Sequence, residues 1–201
     1  LNLVHNFNVL TLYPEIFEPF LSTGLIGRGV ESGHLKIKTV NFRKNGIGKH
    51  QKVDAPPYGG GAGMVLRPEP VCKTIEECEK ASPLKRTYKV LLSPQGRPFD
   101  QAKAEKLSKM EMPITLVCGR FEGFDERIRN FIDEEISLGD FDVGQRHNQH
   151  HKGSQHQPDS DVAAPAAFVQ LMLRTKAHYQ PPNPKVRRAA SPKIAPKCRK
   201  R

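Results

Sequence analysis

The sequence predicts an α/β domain, a mostly parallel sheet with helices on both faces. Two observations lead there. Residues 88–140 carry the same order of signals twice, an apolar strand, a turn and a helical pattern. The strands of these two units also read as apolar runs rather than alternating, as strands covered on both faces do.

Taken in order, "FNVLTL" (7–12) reads as a buried strand. "PEIFEPFLST" then brings Ile16, Phe17, Phe20 and Leu21 to one side at helical spacing, with Pro14 and Glu15 suited to a first turn. "HLKIKTVNF" (34–42) alternates with Leu35, Ile37 and Val40 inward, a second strand. The stretch "RKNGIGKHQKVDAPPYGGGAGM" is too rich in Gly, Pro and Lys to be regular and is read as a loop. "EPVCKTIEECEKA" (69–81) is an amphipathic helix.

The first repeated unit has a strand at 88–92, a Ser-Pro-Gln-Gly turn and a helix from about Asp100. The second has a strand at 114–118, a Gly-bounded turn and a helix from about Asp125. In parallel sheets ligands sit outside the carboxyl ends of the strands, where both turns fall.

Composition narrows the class. The chain has 201 residues, 37% of them hydrophobic, enough for one domain or a domain with a tail. Its formal charge of +11 is unevenly spread. Residues 1–140 hold 20 Lys and Arg against 18 Asp and Glu; residues 141–201 hold 12 against 3. Most of the basicity is therefore C-terminal, and bulk charge says little about what the front part binds.

Cys72, Cys78, Cys118 and Cys198 make no metal-ligand spacing, and Cys118 sits in an apolar run where a reduced thiol packs as a small hydrophobe. No stretch approaches a membrane span, and the opening residues lack a secretion signal, so the expectation is a cytoplasmic protein. The first residue, Leu1, is read as the sign of a fragment or an imperfect gene start.

Several turns carry candidate chemistry. "GRFEGFDER" lacks the dinucleotide spacing, since Gly119 and Gly123 are four apart. Asp125 and Glu126 suit a helix first turn, where carboxylates cap free N–H groups. Glu122, beside Gly123, suits instead an amine, a sugar hydroxyl or a ligand cation. "PPYGGGAGM" (56–64) reads either as a flexible linker or as a lid whose missing side chains let backbone approach a ligand. "SPQG" is a stiffened turn presenting backbone groups in fixed directions, suited to reading an adenine edge without charge.

"FNVLTLYPEIF", "PPYGGGAGMVLRPEP", "LLSPQGRPFDQ", "LVCGRFEGFDERI" and "IDEEISLGDF", in this order, closely resemble the N-terminal domain of the bacterial tRNA (guanine-N1)-methyltransferases. The resemblance covers about residues 7–141. It implies a SPOUT-type α/β domain with a deep trefoil knot, an exception to the rule that chains do not thread their own loops. It also implies a homodimer, S-adenosylmethionine as methyl donor, and as substrate the guanosine next to the anticodon in tRNA. Carried over by motif, Leu92, Ser93 and Pro94 lie along the adenosine, and Gly119, Phe121, Glu122 and Gly123 along the ribose and methionine portion. Leu138, Gly139, Asp140, Phe141, Asp142 and Val143 belong to the knot's ligand loop. Tyr58, Gly59, Gly60 and Gly61 close near the methyl group.

After Phe141 the chain departs from that pattern. A Gly-Gly-Glu loop and an apolar helix are expected, and "DVGQRHNQHHKGSQHQPDSDVAAPAAF" stands in their place. The knot is therefore expected to be incomplete. "KAHYQPPNPK" echoes the stretch that carries the family's general-base aspartate, and the matching position here is Thr175. Residues 142–201 are thus read as a tail replacing the helical C-terminal domain. One view of it is a metal site at His147, His150, His151 and His156, but without Cys or acidic partners no metal is expected; the second is a disordered RNA-binding tail using its Lys and Arg. On that second view the chain is a non-enzymatic RNA-binding remnant. The preferred reading is a reading frame that slipped near codon 142. Sequencing the nucleotides tests it: an alternative frame encoding the Gly-Gly-Glu loop is the expected result, and no such frame removes the idea.

Overall fold

The computed structural model describes residues 4–61 and 63–139. Among these residues five parallel strands form the sheet: β1 (His5–Thr11), β2 (Leu35–Asn41), β5 (Tyr88–Pro98), β6 (Ile114–Cys118) and β7 (Glu134–Ser137). Their order is β2-β1-β6-β5-β7, and the pairing is parallel throughout. Between β2 and β5, the two-residue strands β3 (Asp54–Ala55) and β4 (Val65–Leu66) pair antiparallel as the base of an arm.

Among the described residues four α-helices accompany the sheet: α1 (Glu18–Ser22), α2 (Gly24–Glu31), α3 (Pro68–Ala81) and α4 (Gln101–Ser108). The period-two alternation of the strands divides the core into two layers. Phe7 and Val9, Val90 and Leu92, and Leu116 and Cys118 face one side, joined by Ile26 of α2 and by Ala104 and Leu107 of α4. Leu10, Leu91 and Val117 face the other, joined by Val71, Cys72, Ile75 and Cys78 of α3. Helices on both faces of a parallel sheet are the predicted architecture. Cys118 packs in the first layer at 2% exposure, as a small hydrophobe.

Most elements fall where the sequence puts them. The helix predicted over 69–81 is α3, which starts on Pro68, where a missing N–H costs nothing. The helix expected near Asp100 is α4, and the Asp100 carboxylate accepts the Lys103 N–H at 2.7 Å as its cap.

Four expectations need correction. "PEIFEPFLST" does not form one helix but a 3-10 turn, Pro14–Phe17, running into the short α1. Only Phe17 of its four apolar residues is fully buried; Ile16 is exposed. The loop over 43–64 is partly ordered, through a 3-10 turn at Phe42–Asn45 and the β3–β4 pair.

The "SPQG" turn lies inside β5, as a bulge on its pairing with β7. Leu92 and Arg97 both align with Ile136, so the intervening residues are looped out. The helix expected from Asp125 is a single 3-10 segment, Glu126–Phe131, followed by β7. Its charges suggested a longer helix, but the edge of the sheet takes Glu134–Ser137 as a strand.

Two acidic residues at the start of this strand are anchored by neighbours. Asp133 accepts the Lys89 N–H at 2.8 Å and meets Lys89 Nζ at 3.2 Å. Glu134 pairs with Lys103 of α4 and accepts the Tyr88 hydroxyl at 2.9 Å. Burial pushes the Glu134 carboxyl up, but the bonds from Lys103 and Tyr88 outweigh it and hold the group below its usual value. A depressed carboxylate contributes stability above its unfolded pKa, and that contribution is lost as pH falls through the folded one. Urea unfolding of the wild type and Glu134→Gln should therefore differ at neutral pH, and the gap should shrink as pH drops below about 4.3.

Candidate active site at the strand carboxyl ends

The register places the site. Leu92 of β5 pairs with Cys118 of β6 on one side and with Ile136 of β7 on the other. Ser93–Pro94, Gly119–Gly123 and Leu138–Gly139 therefore leave three adjacent strands at nearly one level, about 5 Å from neighbour to neighbour. Three of the predicted ligand segments are brought together at the carboxyl ends of the strands. Asp140, Phe141, Asp142, Val143 and Thr175 lie outside the described residues, as do the segment expected to complete the knot and the histidine cluster.

The floor of this cradle is apolar. Leu92 is buried, and Leu138 packs half-buried against the same core layer. Beside it, Cys118 is buried, and burial lifts its thiol to about 12, so it stays protonated and is no nucleophile. The wall after β6 depends on small residues. A Cβ on Gly119 would stand 2.4 Å from the Phe124 ring, so only glycine lets that ring close over the turn. Phe121 has φ +64 and Gly123 φ +118, which reverse the chain sharply around Glu122.

The arm reaches this wall. The Glu122 N–H donates to the Met64 carbonyl at 2.9 Å, the Leu66 N–H to the Gly123 carbonyl at 2.9 Å, and the Asp125 N–H to the Leu66 carbonyl at 3.0 Å. Val53 and Leu66, both buried, root the arm in the core. Gly63 sits so close to Glu122 that a Cβ there would fall 2.3 Å from the Glu122 Cγ. Tyr58, Gly59, Gly60 and Gly61 form the exposed tip, Tyr58 fully so. The glycine that meets the wall is thus Gly63, two residues beyond the predicted closing set. A cleft of about 590 Å³ runs under the arm between Pro57, Tyr58 and Val65 and the turn Phe124–Arg127. It lies beside the cradle rather than in it.

Asp125 behaves as a cap. Its carboxylate accepts the Arg127 N–H at 3.0 Å and grips the Arg127 guanidinium at 2.9 and 2.8 Å, and these bonds hold it below the usual carboxylate range. Glu126 pairs with Arg129 at 2.8 Å. Glu122 differs: it is exposed and takes part in no ion pair among the described residues.

The donor set suits a ligand with one flat uncharged part and one cationic or hydroxyl-bearing part. The first would meet Leu92, Leu138 and the backbone of the bulge, and the second the Glu122 carboxylate.

Sequence reasoning missed the polar contacts beneath the bulge. The Ser93 hydroxyl donates to Glu135 Oε1 at 2.5 Å and accepts the Gln95 N–H at 3.0 Å. Arg129 joins Glu135 Oε2 at 2.6 Å and Gln95 Oε1 at 2.7 Å. Nothing in spacing links residues 93, 129 and 135; only the unexpected strand β7 could have signalled it.

An open α/β sheet with a Gly-lined cradle at its carboxyl ends and a Gly-rich arm against it defines a ligand-binding domain of the parallel-sheet class. A solved tRNA (m1G37) methyltransferase from Aquifex aeolicus shares its fold, with a TM-score of 0.68, 26% identity, and coverage of 97% of this chain and 76% of that one. The family profile of the tRNA (guanine-1)-methyltransferase TrmD matches residues 5–145, and the chain belongs to that family.

Relatives named tRNA (guanine-N(1)-)-methyltransferase include one from Sorangium cellulosum, 46% identical over 67% of this chain and 58% of its own length. Another, from Metamycoplasma arthritidis, is 48% identical over 67% of this chain and 56% of its own. The chain spans little more than half the length of these relatives.

Gly119→Ala tests the wall. Overpacking against Phe124 should cost about 1–3 kcal/mol, read as a lower midpoint in urea.

Proposed function

We propose that this chain is the cofactor-binding part of an enzyme that methylates guanine N1 next to the anticodon of tRNA. The observation that supports this most is the common level of Ser93–Pro94, Gly119–Gly123 and Leu138–Gly139 on adjoining strands. These are three of the segments by which the sequence resembles the family. S-adenosylmethionine, as methyl donor, supplies a carbon already activated on a sulfonium.

The protein's own work is then alignment of the base, removal of the N1 proton and stabilisation of charge at O6. Leu92, Ser93 and Pro94 line the adenosine, with Leu92 as an apolar surface and the bulge backbone as its hydrogen-bonding edge. Gly119, Phe121, Glu122 and Gly123 follow the ribose and methionine portion, and Glu122 supplies the free carboxylate. Leu138 and Gly139 lead into the ligand loop with Asp140, Phe141, Asp142 and Val143. The arm tip, Tyr58 to Gly61, closes near the methyl group.

A homodimer acting in the cytoplasm fits the family. Among the described residues no helix is long and apolar enough to cross a membrane.

Proton removal is the weak point. Thr175 stands where the family places its aspartate, and a hydroxyl does not accept a proton at neutral pH as a carboxylate does. Methyl transfer by this chain is therefore weak or absent.

Calorimetric titration with S-adenosylmethionine should show saturable binding, weakened roughly tenfold by Glu122→Gln, as for one lost charge-assisted bond. No binding to the wild type defeats the cofactor assignment. Robust turnover on unmodified tRNA defeats the assignment of impaired catalysis.

A further inference from the structure

We infer that Glu135 and Arg129 are positioning residues that hold the bulge after Leu92 in its ligand-reading shape. Ser93 then serves the site through Glu135 rather than by touching the ligand with its hydroxyl. For its ligand readout this rests on the S-adenosylmethionine reading above.

Within the protein the Ser93 hydroxyl is already occupied in both directions. It donates to Glu135 Oε1 at 2.5 Å and accepts the Gln95 N–H at 3.0 Å. Glu135 divides its two oxygens between the two sides of the cradle. Oε1 takes Ser93 of β5, and Oε2 takes Arg129 NH1 at 2.6 Å, from the 3-10 segment that continues the Gly119–Gly123 wall.

Arg129 uses all three of its nitrogens: NH1 on Glu135, NH2 on Gln95 Oε1 at 2.7 Å, and Nε on Glu126 at 2.8 Å. A planar guanidinium bonded at three points fixes the geometry of what it holds. The looped-out segment has no strand partner between Leu92 and Arg97. Its conformation is therefore set by these side chains and by Gly96, where a Cβ would come within 2.5 Å of the Ile136 backbone. The network spans the bulge, β7 and the 3-10 segment, so it ties two walls of the cradle into one unit. Hydrogen bonds to charged groups in such partly buried networks are the stronger kind.

The full-length chain carries the test, as Ser93→Ala, Ser93→Thr, Glu135→Gln and the Ser93→Ala/Glu135→Gln double variant. S-adenosylmethionine affinity should fall roughly tenfold in Ser93→Ala and in Glu135→Gln. Ser93→Thr, which keeps the hydroxyl, should restore it. The double variant should lose little more than either single one, since both break the same link.

The unfolding midpoint should move little, because the network lies outside both core layers. A direct ligand role for Ser93 would leave Glu135→Gln at wild-type affinity, and that result overturns the inference. Amide exchange on the ligand-free protein decides independently of binding. Glu135→Gln should speed exchange across residues 93–97 while leaving 114–118 unchanged; unaltered exchange at 93–97 overturns the inference too. Absence of S-adenosylmethionine binding in the wild type counts against the cofactor assignment alone, and the exchange result still stands.

Discussion

The pairing of Leu92 with Cys118 on one side and Ile136 on the other governs the molecule. Parallel strands in register end together, and whatever follows each strand is delivered to the same edge of the sheet. A shift of one residue in β5 would turn Leu92 to the other layer and move Leu91 toward α4. The same register creates the bulge, because β7 offers the single residue Ile136 where β5 has two, Leu92 and Arg97, to set against it. Between them the chain must leave the sheet, and it does so level with the turn that follows β6.

The acidic residues beside this register are paired on both faces of the sheet. Among the described residues β7 is an edge strand of only four residues, which limits the unpaired backbone it offers. Glu134 turns to Tyr88 and Lys103, and Glu135 turns the other way to Ser93 and Arg129. Successive carboxylates on a strand point to opposite faces, so one pair of acidic residues braces the sheet twice. Asp133 and Lys89 add a third brace at the start of the strand. Glu122 is the contrast: exposed, next to Gly63 and outside these braces.

Much of this was legible in the amino-acid order. Strands with almost no polar residue, such as Ile114–Cys118 with its single Thr115, announce a sheet covered on both faces, and the five motifs carry the likeness to the family. What stayed hidden depends on neighbours far along the chain. "IDEEIS" has a helical look because a short edge strand needs no hydrophobic run of its own; Ile136 is fully buried in one core layer, and Ile132 packs only half-buried against the other. "SPQG" reads as a turn because its extended form is imposed by Ile136 and Arg129, which local sequence does not contain. Gly63 was one glycine among four in its loop, and only the approach of Glu122 sets it apart.

The arm and the wall after β6 share backbone hydrogen bonds, at Glu122–Met64, Leu66–Gly123 and Asp125–Leu66. A wide swing of the arm would have to break all three, each worth on the order of 1 kcal/mol net. Movement is therefore cheap only beyond Met64, toward the exposed glycines. On the proposed function, entry and exit of a ligand would fall to a short tip on a fixed base, so traffic through the site and the shape of its wall would answer to separate parts of one hairpin.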